Sequence, residues 1–172
     1  MKARSCLVLA LALATGAAFA TGPRVLRADL TGFEEVLPVS TTGKGELRLL
    51  IYPDRTTIAY ELSYSGLQAD ATQAHIHFGQ PAVNGGISVF LCSNLGNGPA
   101  GTQACPLRSG TISGLITADS VLGPDAQGIA PREIDALVEA LREQLTYVNV
   151  HSTRWTGGEI RGQIGTGRGG HH

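Results

Sequence analysis

Hydrophobic and polar positions alternate along much of this chain with a period of two residues. The clearest runs are residues 46–51 and 58–64, in which Leu, Ile and Tyr alternate with more polar neighbours. This period is typical of a strand with one buried face. The Pro-Asp-Arg segment at residues 53–55 is a turn, so the two runs are predicted to form a hairpin.

Other parts of the chain show the same strand pattern. The further predicted strands are residues 25–33, 72–78, 87–92, 110–116, 146–151 and 159–164. Glycines separate them, and the Gly157-Gly158 pair predicts a tight hairpin between the last two. About seven short strands with frequent turns favour an antiparallel β-sandwich, so the predicted fold class is mainly β.

One segment, near residues 131–145, departs from this period. Its apolar side chains are three or four residues apart, at Ile134, Leu137, Val138, Leu141 and Leu145. Such spacing places them on one face of an amphipathic helix. Pro131 suits the first turn, where no backbone N–H is needed. We predict one helix here, with its apolar face in the core.

The N-terminal residues have the three parts of a secretory signal peptide. Residues 1–5 are basic, residues 6–19 are almost entirely apolar, and residues 18–20 form a small-x-small triplet. This order is typical of an export signal that is later cleaved. The apolar run of about 14 residues is shorter than the roughly 20 that a membrane-spanning helix needs. We predict cleavage after Ala20, a secreted or periplasmic location, and no membrane span in the mature chain.

The predicted mature chain, residues 21–172, is long enough for one domain with a substantial core. It carries 11 basic and 14 acidic residues, a net charge of −3. These charges are scattered, so neither nucleic acid nor an anionic membrane surface is an expected partner. The predicted division is a signal peptide at 1–20, a domain at 25–164 and a flexible, glycine-rich tail at 165–172.

Signal cleavage would leave two cysteines, Cys92 and Cys105, in an oxidising compartment. A bridge between them would close a loop of about 14 residues and stabilise the fold by about 3 kcal/mol. Two free thiols are the alternative. We predict a Cys92–Cys105 disulfide.

Three histidines are the main candidates for chemistry. His75 and His77 are two residues apart on a predicted strand, so both imidazoles lie on one face, with Cα atoms about 7 Å apart. If the strand that carries His151 is a neighbour, three imidazoles converge, with Glu159 as a weaker fourth ligand. Three histidines are a known arrangement for zinc or copper. The alternative is a structural role, in which the imidazoles bond to carbonyls or to Glu159.

Other site chemistries have less support in the sequence. No Gly-x-Ser-x-Gly elbow is present. Glu34 and Glu35 are adjacent, so on a strand they point to opposite faces and do not form a glycosidase pair. His171 and His172 lie in the predicted tail, which is not a preorganised site. No residue is assigned a catalytic role.

Several sequence blocks together resemble the CHRD domain, a family named after chordin. They are the opening LTGFEEVLPV at residues 30–39, Gly43-x-Gly45, AHIHxG at 74–79, Asn84-Gly85, YVNVHS at 147–152 and GGEIRGQ at 157–163. Leu37 replaces the usual first proline of the opening block, and Ser152 replaces the usual threonine. The resemblance extends over about residues 25–164.

The resemblance implies an extracytoplasmic, Ig-like or dismutase-like β-sandwich. In chordin the domain accompanies modules that bind secreted growth factors, so the resemblance implies a binding role for this chain. The His75-Ile76-His77 strand is also similar to the copper-binding strand of copper/zinc superoxide dismutases. The bridging and zinc-loop histidines of those enzymes have no counterpart here, so dismutase activity is not expected. The first hypothesis is a non-enzymatic extracytoplasmic binding or structural module with an unidentified protein or ligand as partner. The alternative is a copper- or zinc-binding protein with a three-histidine site.

Overall fold

A computed structural model describes residues 22–167 of the chain. The predicted signal peptide at 1–20 lies outside the described residues, as do residues 168–172 of the predicted tail. Within residues 22–167, no helix has the length and apolar character needed to cross a bilayer. Gly165, the first residue of the predicted tail, exchanges two backbone hydrogen bonds with Arg27.

The described residues form eight antiparallel strands, one α-helix and three short 3-10 turns. The elements are β1 (Arg24–Thr31), β2 (Lys44–Ile51), β3 (Ile58–Ser65), β4 (Ala71–Phe78), β5 (Gly86–Ser93), β6 (Gly110–Ile116), α1 (Ile134–Arg142), β7 (Thr146–Ser152) and β8 (Ile160–Gln163). The predicted mainly β, antiparallel class with a single helix is confirmed. Both predicted hairpins are present, as the β2–β3 and β7–β8 pairs.

The strands form one nearly closed sheet in the order β5-β4-β7-β8-β1-β2-β3-β6. The alternation seen in the sequence places Leu and Ile side chains on its inner face, for example Leu47, Leu49 and Leu62, all fully buried. Across the opening of the sheet, the Tyr60 hydroxyl on β3 donates a hydrogen bond to the Leu91 carbonyl on edge strand β5 at 3.0 Å. Burial of these apolar faces supplies most of the driving force for the fold.

Helix α1 is shorter than its apolar pattern predicts. Arg132 has a left-handed backbone with φ of 71°, so the helix begins only after it, and Gln144 is left-handed beyond the other end. Between them the predicted apolar face, for example Leu137 and Val138, is buried in the core. The periodicity therefore identified the helix, whereas local backbone geometry set its ends.

The predicted disulfide between Cys92 and Cys105 is confirmed. It joins residues 13 apart in the chain and anchors a glycine-rich loop to β5. We expect the double substitution Cys92→Ala and Cys105→Ala to lower the free energy of unfolding by about 3 kcal/mol, because the unfolded chain regains loop entropy. Urea unfolding without reductant measures this. Equal midpoints for the two proteins would contradict it.

Candidate metal centre

Antiparallel pairing of β4 with β7 brings the three predicted histidines to one face of the sheet. In this register His75 lies opposite Asn149, and His77 lies opposite Tyr147. His151 is two residues beyond Asn149 and therefore diagonal to His75. The intervening residues of both strands, such as Ile76, point into the apolar core.

The three imidazoles are close enough to share one ion. One ring nitrogen from each lies within 4.8 Å of the other two. His75 Nδ1 is 3.2 Å from His151 Nε2. Two nitrogens bound to one ion at about 2.0–2.1 Å, at a tetrahedral angle, are about 3.3 Å apart. The spacing therefore fits two ligands of a single ion.

Backbone carbonyls fix the orientation of two of the rings. His77 Nδ1 lies 3.0 Å from the Gly85 carbonyl, and His151 Nδ1 lies 2.9 Å from the Thr156 carbonyl. A carbonyl can only accept, so each Nδ1 carries the proton and donates it. The Nε2 atoms of both rings are then bare lone pairs. Metal-binding histidines are held in the same way, with the second nitrogen donating to a carbonyl.

His75 lies between the other two histidines. Its Nδ1 faces the bare Nε2 of His151, so a proton or a cation is required between these two nitrogens. Its Nε2 and the Nε2 of His77 are buried without a hydrogen-bond partner. With a proton on His75 Nδ1, two lone pairs, those of His75 Nε2 and His77 Nε2, remain without a donor among the described residues.

Burial keeps these rings neutral. It lowers the pKa of His75 to about 3, with help from the nearby His151 and His77. It lowers the pKa of His77 to about 4, although the hydrogen bond to Gly85 acts in the opposite direction. The pKa of His151 is also lowered by burial. At neutral pH all three imidazoles can therefore bind a metal without first losing a proton.

Aromatic and cationic groups pack around the histidines. The Tyr147 ring stacks on His77 with centroids 4.7 Å apart, and Phe90 meets His75 edge-on at 4.3 Å. On the Tyr147 ring lies Arg161, whose Cζ is 3.4 Å from the ring centroid. These contacts hold His75 and His77 in place.

Arg161 also fastens the loop between β4 and β5 over this face. It donates hydrogen bonds to the carbonyls of Gln80 and Val83 at 3.2 and 2.9 Å. Gly85, in the same loop, donates its N–H to the Tyr147 hydroxyl. The sequence alternation placed Tyr147 on the His151 face, but Arg161 was missed, since only the strand order shows that it belongs here.

Glu159, the weaker predicted ligand, is not part of the three-histidine group. Its Oε1 accepts hydrogen bonds from the Thr41 hydroxyl at 2.7 Å and from the Gln68 N–H at 2.8 Å. This carboxylate therefore ties the loop before β2 to the segment before β4. The other two predicted histidines, His171 and His172, lie outside the described residues.

Glu35 is a buried acid near Arg161. From the sequence it was assessed only together with Glu34, as two adjacent carboxylates that do not form a glycosidase pair. Its carboxyl packs against Gly158, in the loop that precedes β8. Burial raises its pKa to about 7, and the positive charge of Arg161 opposes that effect. Near neutral pH this group is therefore partly protonated.

Comparison with known proteins gives one result for this chain. The family model of the CHRD domain matches residues 26–164. No curated protein and no solved structure gave a match. The matched region contains every strand that forms the candidate metal centre.

Proposed function

This chain belongs to the CHRD domain family, and from its three-histidine group we propose that it is a non-enzymatic extracytoplasmic binding module whose ligand is a copper or zinc ion. His75, His77 and His151 would supply three imidazole nitrogens to that ion. The observation that carries the proposal is the convergence of three buried, neutral imidazoles, with one nitrogen from each within 4.8 Å of the others.

A purely structural role explains the hydrogen bonds of four of the six ring nitrogens, including the His75–His151 pair. It accounts for the Nδ1 atoms of His77 and His151, which bond to backbone carbonyls. It leaves the Nε2 atoms of His75 and His77 buried without partners. A buried polar atom without a partner costs about 1–3 kcal/mol. A cation bound by the three rings would give His77 Nε2 a partner and remove that cost there, which favours the metal role.

The donor type selects the class of metal. Neutral imidazole is a good ligand for zinc and copper, whereas magnesium and calcium prefer oxygen donors. Cysteine thiolates are not part of the group, since both cysteines of the described chain form the disulfide. We therefore expect zinc or copper rather than a hard cation.

Burial supports a binding role over a catalytic one. None of the three histidines is more than 7% exposed. A bound ion would therefore be shielded from substrate-sized molecules, as in closed structural sites. The extracytoplasmic location is supported by the predicted signal peptide and by the disulfide, since such bonds persist in oxidising compartments.

Metal titration tests this proposal directly. The full chain would carry His171→Ala and His172→Ala, so that the tail contributes no affinity, and would be purified without an affinity tag. After removal of metal by a chelator, we expect it to take up one zinc or copper(II) ion per chain. A further His75→Ala or His151→Ala substitution should weaken binding by more than about 100-fold, because even outer-shell partners of a metal account for about 10–100-fold.

The parent chain with the tail substitutions is the matched control, since it keeps all three buried histidines. Calorimetry with a competing chelator gives affinity, and elemental analysis gives stoichiometry. Substoichiometric metal in the parent chain after loading would refute the proposal. So would unchanged binding in both histidine variants.

A further inference from the structure

Asn149 occupies the centre of the three-histidine group. It lies directly opposite His75 in the β4–β7 register, and it is diagonal to His77, whose own partner is Tyr147. His151 is two residues further along the same strand and therefore on the same face. Side chains that are opposite or diagonal on one face of a sheet are within contact range. Asn149 is thus a neighbour of all three imidazoles.

The amide oxygen of Asn149 is buried and lacks a hydrogen-bond partner. Only 4% of the residue is exposed, and its Oδ1 is without a partner among the described residues. A different amide on this face shows the contrast. Gln73, which lies opposite His151, accepts a hydrogen bond from Asn97 through its Oε1. The unpaired oxygen is therefore specific to the centre of the group.

The nearby histidines do not donate a hydrogen bond to Asn149 Oδ1. The Asn149 amide is close enough to His77 to raise the pKa of that ring by a hydrogen bond to its protonated form. In the neutral ring the proton is on Nδ1, where it is donated to Gly85. Likewise the ring proton of His151 is donated to Thr156. His75 directs its ring proton from Nδ1 to His151 Nε2, so the Nε2 atoms of His75 and His77 are the bare acceptors of the group. Oxygen and nitrogen lone pairs that meet without a donor are the arrangement that a cation satisfies.

We propose that Asn149 is the fourth ligand of the ion, through Oδ1, and that it closes a three-nitrogen, one-oxygen site. This inference rests on the proposed function above. A tetrahedral ion with four protein ligands has no open position for substrate or solvent, as in structural zinc sites. The nitrogen and oxygen donors suit zinc(II) and copper(II), whereas copper(I) prefers sulfur ligands.

Azide binding to the copper(II)-loaded full chain tests for the closed site, since azide gives a charge-transfer band when it occupies an open position. We expect no band in the parent chain, which carries the tail substitutions His171→Ala and His172→Ala. We expect the band to appear in Asn149→Ala, with copper(II) affinity lower by about 10–100-fold. Asn149→Asp retains an oxygen donor, so it should exclude azide and bind copper at least as tightly as the parent.

Gln73→Ala is the matched control, because it removes an amide from the same face that already has a partner. We expect neither azide binding nor a change in affinity for it. Equal azide binding by the parent chain and by Asn149→Ala, or an Asn149→Ala chain with parental affinity for copper(II), would overturn the inference. Thermal unfolding identifies a variant that fails to fold, and in that case the Asn149→Asp result decides.

The outcomes separate this inference from the proposed function. If His75→Ala and His151→Ala lose the metal while Asn149→Ala does not, three histidines hold the ion and the fourth ligand is refuted. If the histidine variants keep the metal, the site itself is refuted. Zinc titration provides a second readout, since its affinity should fall in Asn149→Ala and recover in Asn149→Asp.

Discussion

Lowering the pH from 7 to 5 should destabilise the metal-free protein. The pKa of His75 is about 3 and that of His77 about 4 in the folded protein, against 6.5 in an unfolded chain. Between these values the unfolded chain binds more protons than the folded one. The free energy of unfolding therefore falls as the pH falls, by about 1.4 kcal/mol per pH unit for each such histidine.

The expected loss from the histidines is a large fraction of the stability of a domain, and Glu35 offsets about 2 kcal/mol of it. His75 and His77 together account for about 3 kcal/mol between pH 6.5 and 5. Total stabilities are about 5–15 kcal/mol. His151, whose pKa is also lowered, adds to the loss. Glu35 opposes it, because its pKa is raised to about 7 and the folded state then binds the extra proton.

Urea unfolding of the metal-free chain at pH 7, 6 and 5 measures this dependence. The control is the double variant His75→Gln and His77→Gln, which retains polar side chains that do not titrate. Its stability should fall less steeply over this interval. Identical pH dependence in the two proteins would show that these histidines do not control acid unfolding. Zinc should protect the parent chain, because a bound ion competes with the protons.

Gly85→Ala should damage both the fold and the metal centre. A Cβ at this position would lie 1.8 Å from the Phe78 carbonyl oxygen, so the backbone must move. That movement would break the hydrogen bonds from His77 to the Gly85 carbonyl and from the Gly85 N–H to Tyr147. We expect a stability loss of about 1–3 kcal/mol from overpacking. Metal affinity should fall by about 10–100-fold, because His77 loses the partner that orients it.

Gly157→Ala is the control for that substitution. Gly157 is also in a loop beside the site, but a Cβ there would meet no atom within 4 Å. We expect its unfolding midpoint and zinc affinity to match those of the parent chain. The explanation for Gly85 fails if both alanine variants bind zinc equally well. Thermal unfolding and zinc titration of the two variants provide the comparison.

Local patterns in the sequence predicted much of this molecule. The period of two identified the strands, because successive side chains on a strand point to opposite faces. The same rule placed His75 and His77 on one face. The two cysteines that remain after the predicted signal cleavage are joined in the structure. Each of these inferences depends on residues close together in the chain, or on a single possible pairing.

The tertiary structure decided what converges on the histidines and what does not. His151 joins the group because β7 lies beside β4, although some 70 residues separate the two strands in the chain. The same pairing places Asn149 opposite His75, and the loop between β4 and β5 brings the Gly85 carbonyl to His77. Glu159, which follows a turn, points to Thr41 and Gln68 instead. Strand order and register depend on long-range packing, which no local period encodes. The sequence by itself therefore determined the strands and the candidate histidines, and only the packed sheet determined which side chains surround them.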